Sequence, residues 1–108
     1  MPVHLPRVVE RYIASVNSNI TDALAAGFTA TATVHDEGGT YEGASAITAW
    51  MADTKRKYGH TIEPIDTIER EGKTIVTTRL TGNFPGSPIR LEFVFEFEAD
   101  TITSLEIH

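Results

Sequence analysis

A chain of 108 residues has room for one hydrophobic core, and 41% hydrophobic against 22% charged residues is the balance of a globular domain, not of a disordered or fibrous chain. The formal charge of −6 argues against a phosphate-backbone partner, which needs clustered Lys and Arg, so no nucleic acid is expected. The absence of cysteine excludes disulfides, thiolate nucleophiles and Cys-ligated zinc; with no apolar run able to span a bilayer and no signal-like N-terminus, the expected location is the cytoplasm, with no membrane partner.

Residues 1–108 read as a single domain without internal repeats. Leu5, Val8, Val9, Tyr12, Ile13 and Val16 recur at helical spacing and form one apolar stripe. Pro6 suits a first turn, where its missing N–H has no intrahelical bond to make, so a first helix is expected from about Pro6 to Asn17. Asn17-Ser18-Asn19 ends it, and Thr21 or Asp22 can cap a short second helix that buries Leu24 and Phe28. Ala32, Val34 and Asp36 then share one face of a strand, with Thr33 and His35 on the other. Gly38-Gly39 turns the chain into a short partner strand near Thr40 to Glu42.

Ile47, Trp50, Met51, Thr54 and Tyr58 fall on one helical stripe, which predicts a third helix after Gly43. Lys55, Arg56 and Lys57 complement the negative end of its dipole, and Gly59 can take the left-handed conformation that closes it. Four β-rich segments follow, near 60–69, 74–83, 88–98 and 101–107, separated by Glu71-Gly72, Pro85-Gly86 and Ala99-Asp100. In the third, Ile89, Leu91, Phe93, Phe95 and Phe97 alternate with Arg90, Glu92, Glu96 and Glu98, giving one core face and one wet or interfacial face. Pro64 places a bend, an edge or a bulge in the first. Helices followed by successive hairpins mean α+β with a mainly antiparallel sheet. A strongly curved sheet wrapped around three helices buries all of these faces and leaves a cavity between helices and sheet.

Asp36 is the residue that chemistry would use. Its parity with Ala32 and Val34 points it inward, although an Asp at the first position of a turn also makes a local backbone hydrogen bond. Tyr12 lies on the first helix's stripe, where a core tyrosine and a catalytic donor are both compatible with its position. Trp50 is expected to pack, and packing allows it to line a pocket wall. His35 is expected at the surface or an interface, and His60 in a capping or exposed role. His4, His35, His60 and His108 show no ligand spacing, and no phosphate loop or nucleophile elbow occurs, so no metal and no cofactor are expected.

The order of elements, with Val9-Glu10-Arg11-Tyr12-Ile13-Ala14, Phe28, Ala32-Thr33-Val34-His35-Asp36 and Gly43-Ala44-Ser45-Ala46-Ile47-Thr48-Ala49-Trp50, resembles the nuclear transport factor 2-like superfamily over nearly the whole chain. Within it the chain is similar to ketosteroid isomerases and SnoaL-like proteins. The resemblance implies a cone-shaped barrel with cystatin-like order α-α-β-β-α-β-β-β-β, three helices packed in the sheet, a pocket between them, and a homodimer through the sheet's outer face. It places Asp36 at the position of the general base and Tyr12 at that of the tyrosine hydrogen-bonding the enolate oxygen. In that chemistry a carboxylate base works beside a tyrosine and a carboxylic acid kept neutral by apolar surroundings. Here Phe93 stands at the position of the second acid and Met51 at that of a supporting tyrosine.

Two readings of function follow. One is cofactor-independent isomerase- or cyclase-like proton transfer on a small hydrophobic molecule, with Asp36 as base, Tyr12 as donor, and an apolar wall of Trp50, Phe28, Met51, Phe93 and Phe95. The other is a non-catalytic ligand-binding or dimerisation module. The outer face of the third β-rich segment, with Arg90, Glu92, Val94 and Glu96, is the expected dimer surface.

Overall fold

The computed structural model describes residues 5–18, 27–36 and 38–108. Its elements are α1 (Arg7–Asn17), β1 (Phe28–Asp36), β2 (Gly39–Glu42), α2 (Gly43–Tyr58), β3 (Thr61–Arg70), β4 (Lys73–Thr81), β5 (Ile89–Glu98) and β6 (Thr101–Ile107). Among the described residues no helix is long and apolar enough to cross a membrane.

The fold is α+β, with two helices among the described residues instead of the expected three. The short helix expected around Thr21, Asp22 and Leu24 lies outside those residues, as does His4. Phe28, expected at that helix's end, is instead the first residue of β1. Thr29, Thr31 and Thr33 explain the longer strand, because β-branched side chains favour extended backbone over helix.

The six strands lie in the order β2-β1-β6-β5-β4-β3. Every neighbouring pair is antiparallel except β1 and β6, so the sheet is mixed. It is also open, contrary to the expected barrel, with β2 and β3 as its edges. Both strands suit an edge: β2 has four residues, and β3 carries Pro64, which donates no ladder bond, at a register shift between Pro64 and Asp66. The β3–β4 hairpin closes through Glu71 and Gly72, both at positive φ (54° and 80°), the conformation that matches the right-handed twist of paired strands.

One core joins both helices to the inner face of the sheet. From α1 come Tyr12 and the aliphatic Val8, Val9, Ile13 and Val16, the full burial of each aliphatic side chain being worth roughly 1.5–3 kcal/mol. The end of α1 is fastened to β3 by a reciprocal pair: the Asn17 amide donates to the Ile62 carbonyl at 3.0 Å, and the Ile62 N–H donates back to Asn17 Oδ1 at 2.8 Å. From α2 come Ile47, Trp50 and Met51. Gly59 ends α2 in the left-handed region (φ 54°), and its N–H donates to the Lys55 carbonyl at 2.7 Å. A side chain other than glycine would be strained there, so the direction in which the chain leaves α2 toward β3 is set by this residue.

Candidate functional site

A cavity of about 290 Å³ lies between the helices and the inner face of the sheet, near the lower end of the roughly 300–1,000 Å³ typical of small-molecule sites. Its wall is largely apolar. Tyr12 comes from α1 and Asp36 from β1, while α2 contributes Trp50, Met51, Thr54 and Tyr58. Leu80, Ile89, Leu91, Phe93 and Ile107 of the sheet face them, and His60, Phe84 and Pro85 complete the wall.

Asp36 is the last residue of β1, opposite Gly39 of β2, and its side chain is half-buried on the face shared with the fully buried Ala32 and Val34. The Trp50 indole N–H donates to Asp36 Oδ2 at 3.0 Å. The indole is itself held: Trp50 is buried on the inner stripe of α2 and meets the Tyr41 ring at 5.9 Å between centroids. A carboxylate bonded to a packed, rigid donor keeps one orientation toward the cavity.

Tyr12 is buried within a nest of rings, with Phe95, Phe28 and Phe93 centroids at 5.5, 6.1 and 6.3 Å. Its hydroxyl donates to Met51 Sδ at 3.7 Å. Thioether sulfur is a weak acceptor, so this bond is readily exchanged for one to a better acceptor. Burial pushes the phenol far above its ordinary range, and the negative charge of Asp36 pushes it further. Tyr12 is therefore a neutral donor at any physiological pH, and it lines the same cavity as Asp36.

Of the expected wall, Trp50, Met51 and Phe93 line the cavity. Phe28 and Phe95 do not; they pack on Tyr12 within the core. Phe93 and Phe95 share a strand face, and alternation fixes the face but not which residue lies under a helix and which under open space. His35 is exposed and pairs with Thr40 Oγ1 at 3.2 Å. His60 is not exposed: it is buried at 8% exposure beside the C-terminal end of α2, where the Thr54 carbonyl acts on its ring, and it lines the cavity. Its backbone carbonyl accepts from Lys55 Nζ. Shared parity with the buried Ile62 was the signal that points it inward. Among the described residues no group of three His, Asp or Glu side chains could hold a metal ion.

The β4–β5 loop seats Phe84 against Tyr58, edge to face at 5.7 Å, and the Asn83 N–H donates to the Tyr58 carbonyl at 2.7 Å. That approach requires glycine at position 82. A Cβ there would stand 2.9 Å from the Tyr58 carbonyl oxygen and 3.1 Å from His60 Cα, both backbone atoms that cannot turn aside. Gly82→Ala is expected to lower stability by about 1–3 kcal/mol, the range for overpacking, and to shift the loop carrying Phe84 and Pro85. Urea unfolding checks the first effect and amide chemical shifts of residues 82–88 the second.

The chain matches the SnoaL-like domain over residues 9–104. Among curated proteins nothing matches. Among solved structures it is similar to a candidate polyketide cyclase of Sinorhizobium meliloti, with 35% identity, TM-score 0.92, and coverage of 96% of this chain and 95% of that one. A Catenulispora acidiphila protein with a ketosteroid isomerase-like fold, in complex with trimethylamine, is 20% identical with TM-score 0.85, covering 97% of this chain and 86% of that one. A cystatin-fold protein from Novosphingobium aromaticivorans is 19% identical with TM-score 0.76, covering 94% of each chain. The last two share the fold. With the domain match spanning most of its length, the chain belongs to the SnoaL-like branch of the nuclear transport factor 2-like superfamily.

Proposed function

We propose that the cavity binds a small, mostly apolar molecule carrying a carbonyl, and that Asp36 moves a proton on it while Tyr12 donates to the carbonyl oxygen. The observation that carries this reading is the placement of an indole-oriented carboxylate and a protonated phenol on the wall of one apolar cavity. Asp36 takes a proton from the carbon next to the carbonyl. The electron pair passes onto oxygen, where the Tyr12 hydroxyl leaves Met51 to meet it, and the protonated Asp36 returns the proton to a different carbon. The same enolate, attacking a second carbonyl of its own chain, closes a ring as that carbonyl's π pair becomes an alkoxide, which takes the proton back from Asp36, and the Sinorhizobium relative's name as a candidate polyketide cyclase agrees with that variant. No metal or cofactor is needed for either.

Phe93 on the cavity wall leaves oxyanion stabilisation to Tyr12, which favours a more acidic carbon than that of a simple ketone. The test is conversion of a β,γ-unsaturated ketone to its conjugated isomer, followed by absorbance, together with calorimetric binding of the same ketone. Binding with conversion supports the proposal. Binding without conversion leaves a ligand-binding module, and absence of binding refutes both.

We also propose a two-fold homodimer through the outer sheet face. Ile68, Ile75 and Val94 are in register across β3, β4 and β5, and Ile68 is 43% exposed. Directly opposed residues point to one face, so these three form an apolar row among the charges of Arg90, Glu92 and Glu96. Sedimentation at micromolar concentration is expected to show a dimer that Val94→Lys converts to monomer. A wild-type monomer contradicts this assembly.

A further inference from the structure

We infer that His60 is a second polar contact of the cavity, and that the bound molecule carries a hydrogen-bonding group at each end of an apolar body, one at the end held by Asp36 and Tyr12 and one for His60. The inference rests on the cavity being a ligand site. It adds that the site recognises a molecule with two separated polar groups.

The imidazole is buried, lines the cavity, and has one ring nitrogen, Nδ1, with no hydrogen-bond partner among the described residues. Folded proteins seldom leave such a group unpaired, because a buried nitrogen without a partner loses its bond to water and gains nothing in return. The ring is neutral at neutral pH: burial and the neighbouring Lys55 charge lower its pKa and outweigh the Thr54 carbonyl, which acts in the opposite direction. A neutral imidazole offers one donor and one acceptor, so a hydroxyl satisfies Nδ1 in either tautomer.

Asp36 and His60 lie toward opposite ends of the cavity. Three strands, β6, β5 and β4, separate β1 from β3 in the sheet. The cavity wall between the two groups is apolar, formed in the sheet by Ile107, Phe93, Leu91 and Leu80. On the opposite side α2 spans them, with Trp50 bonded to Asp36 and the Thr54 carbonyl acting on the His60 ring. Trp50 and Thr54 are four residues apart, about 6 Å along the helix, and with two side chains reaching outward the polar groups stand on the order of 10 Å apart. An apolar body of one or two fused or linked rings has that length.

The test compares naphthalen-2-ol with naphthalene-2,6-diol, and biphenyl-4-ol with biphenyl-4,4′-diol, by calorimetric titration. In wild type, at least one diol is expected to bind about fivefold tighter than its mono-ol, the gain from one added hydrogen bond. His60→Phe is expected to abolish that difference between diol and mono-ol, and His60→Gln to keep part of it. Equal affinities in wild type for both pairs, or a diol advantage that survives His60→Phe, overturns the inference while leaving Asp36 and the cavity reading intact. Failure of wild type to bind any of the four compounds overturns the cavity reading and this inference together. Should His60→Phe not fold, His60→Leu is the second apolar variant and is held to the same outcomes.

Discussion

Asp36→Asn is expected to lower turnover of a β,γ-unsaturated ketone by roughly 10²–10⁴-fold, the range for loss of a positioned general base, while the protein stays folded and still binds. Asparagine has nearly the shape of aspartate and keeps a carbonyl oxygen to accept the Trp50 indole N–H now bonded at 3.0 Å to Asp36 Oδ2. What it loses is the capacity to hold a proton at this point of the wall. The loss therefore falls on kcat, with KM close to wild type. Equal turnover in mutant and wild type places the chemistry elsewhere. Asp36→Ala is less informative, because it also leaves the indole N–H of a buried tryptophan without its acceptor.

Trp50→Phe carries the second large effect. Phenylalanine preserves an aromatic ring on the buried stripe of α2 next to Tyr41 but deletes the N–H that orients the carboxylate. A hydrogen bond to a charged group contributes about 1.5–3 kcal/mol, so a loss of roughly 10–100-fold in kcat is expected. The smaller ring also costs stability, by about 1 kcal/mol or more, through the space it leaves. The two effects separate cleanly: a ligand that still binds but reacts slowly marks lost orientation, whereas weakened binding with normal kcat marks lost wall. Unchanged kcat means that the indole only packs.

Much of this arrangement is legible in the sequence. The apolar stripes of α1 and α2 name the buried residues of both helices, and the parity of Ala32, Val34 and Asp36 turns the acid inward. Gly59 marks the end of α2, and Pro64 marks an edge strand with a bulge. What is missed depends on distant parts of the chain. The parallel pairing of β1 with β6 arises because the meander β3-β4-β5-β6 starts at the far edge and returns beside β1, a route that no local pattern encodes. Phe95 reads as cavity wall and is core, because depth under α1 is set by how the helix lies across the sheet. His60 reads as exposed because it opens a strand right after a helix cap; only its shared face with Ile62 and the close approach of Gly82 show it to be inside.

Deuterium exchange into a small apolar ketone tests the central claim most directly, since it reports proton removal at carbon whatever reaction follows. With 2-tetralone in D₂O, followed by proton NMR, wild-type protein is expected to accelerate loss of the α-proton signal over buffer and Asp36→Asn to return it to the buffer rate. Exchange at the buffer rate with wild type, or equal acceleration by Asp36→Asn, contradicts Asp36 as the base of this site.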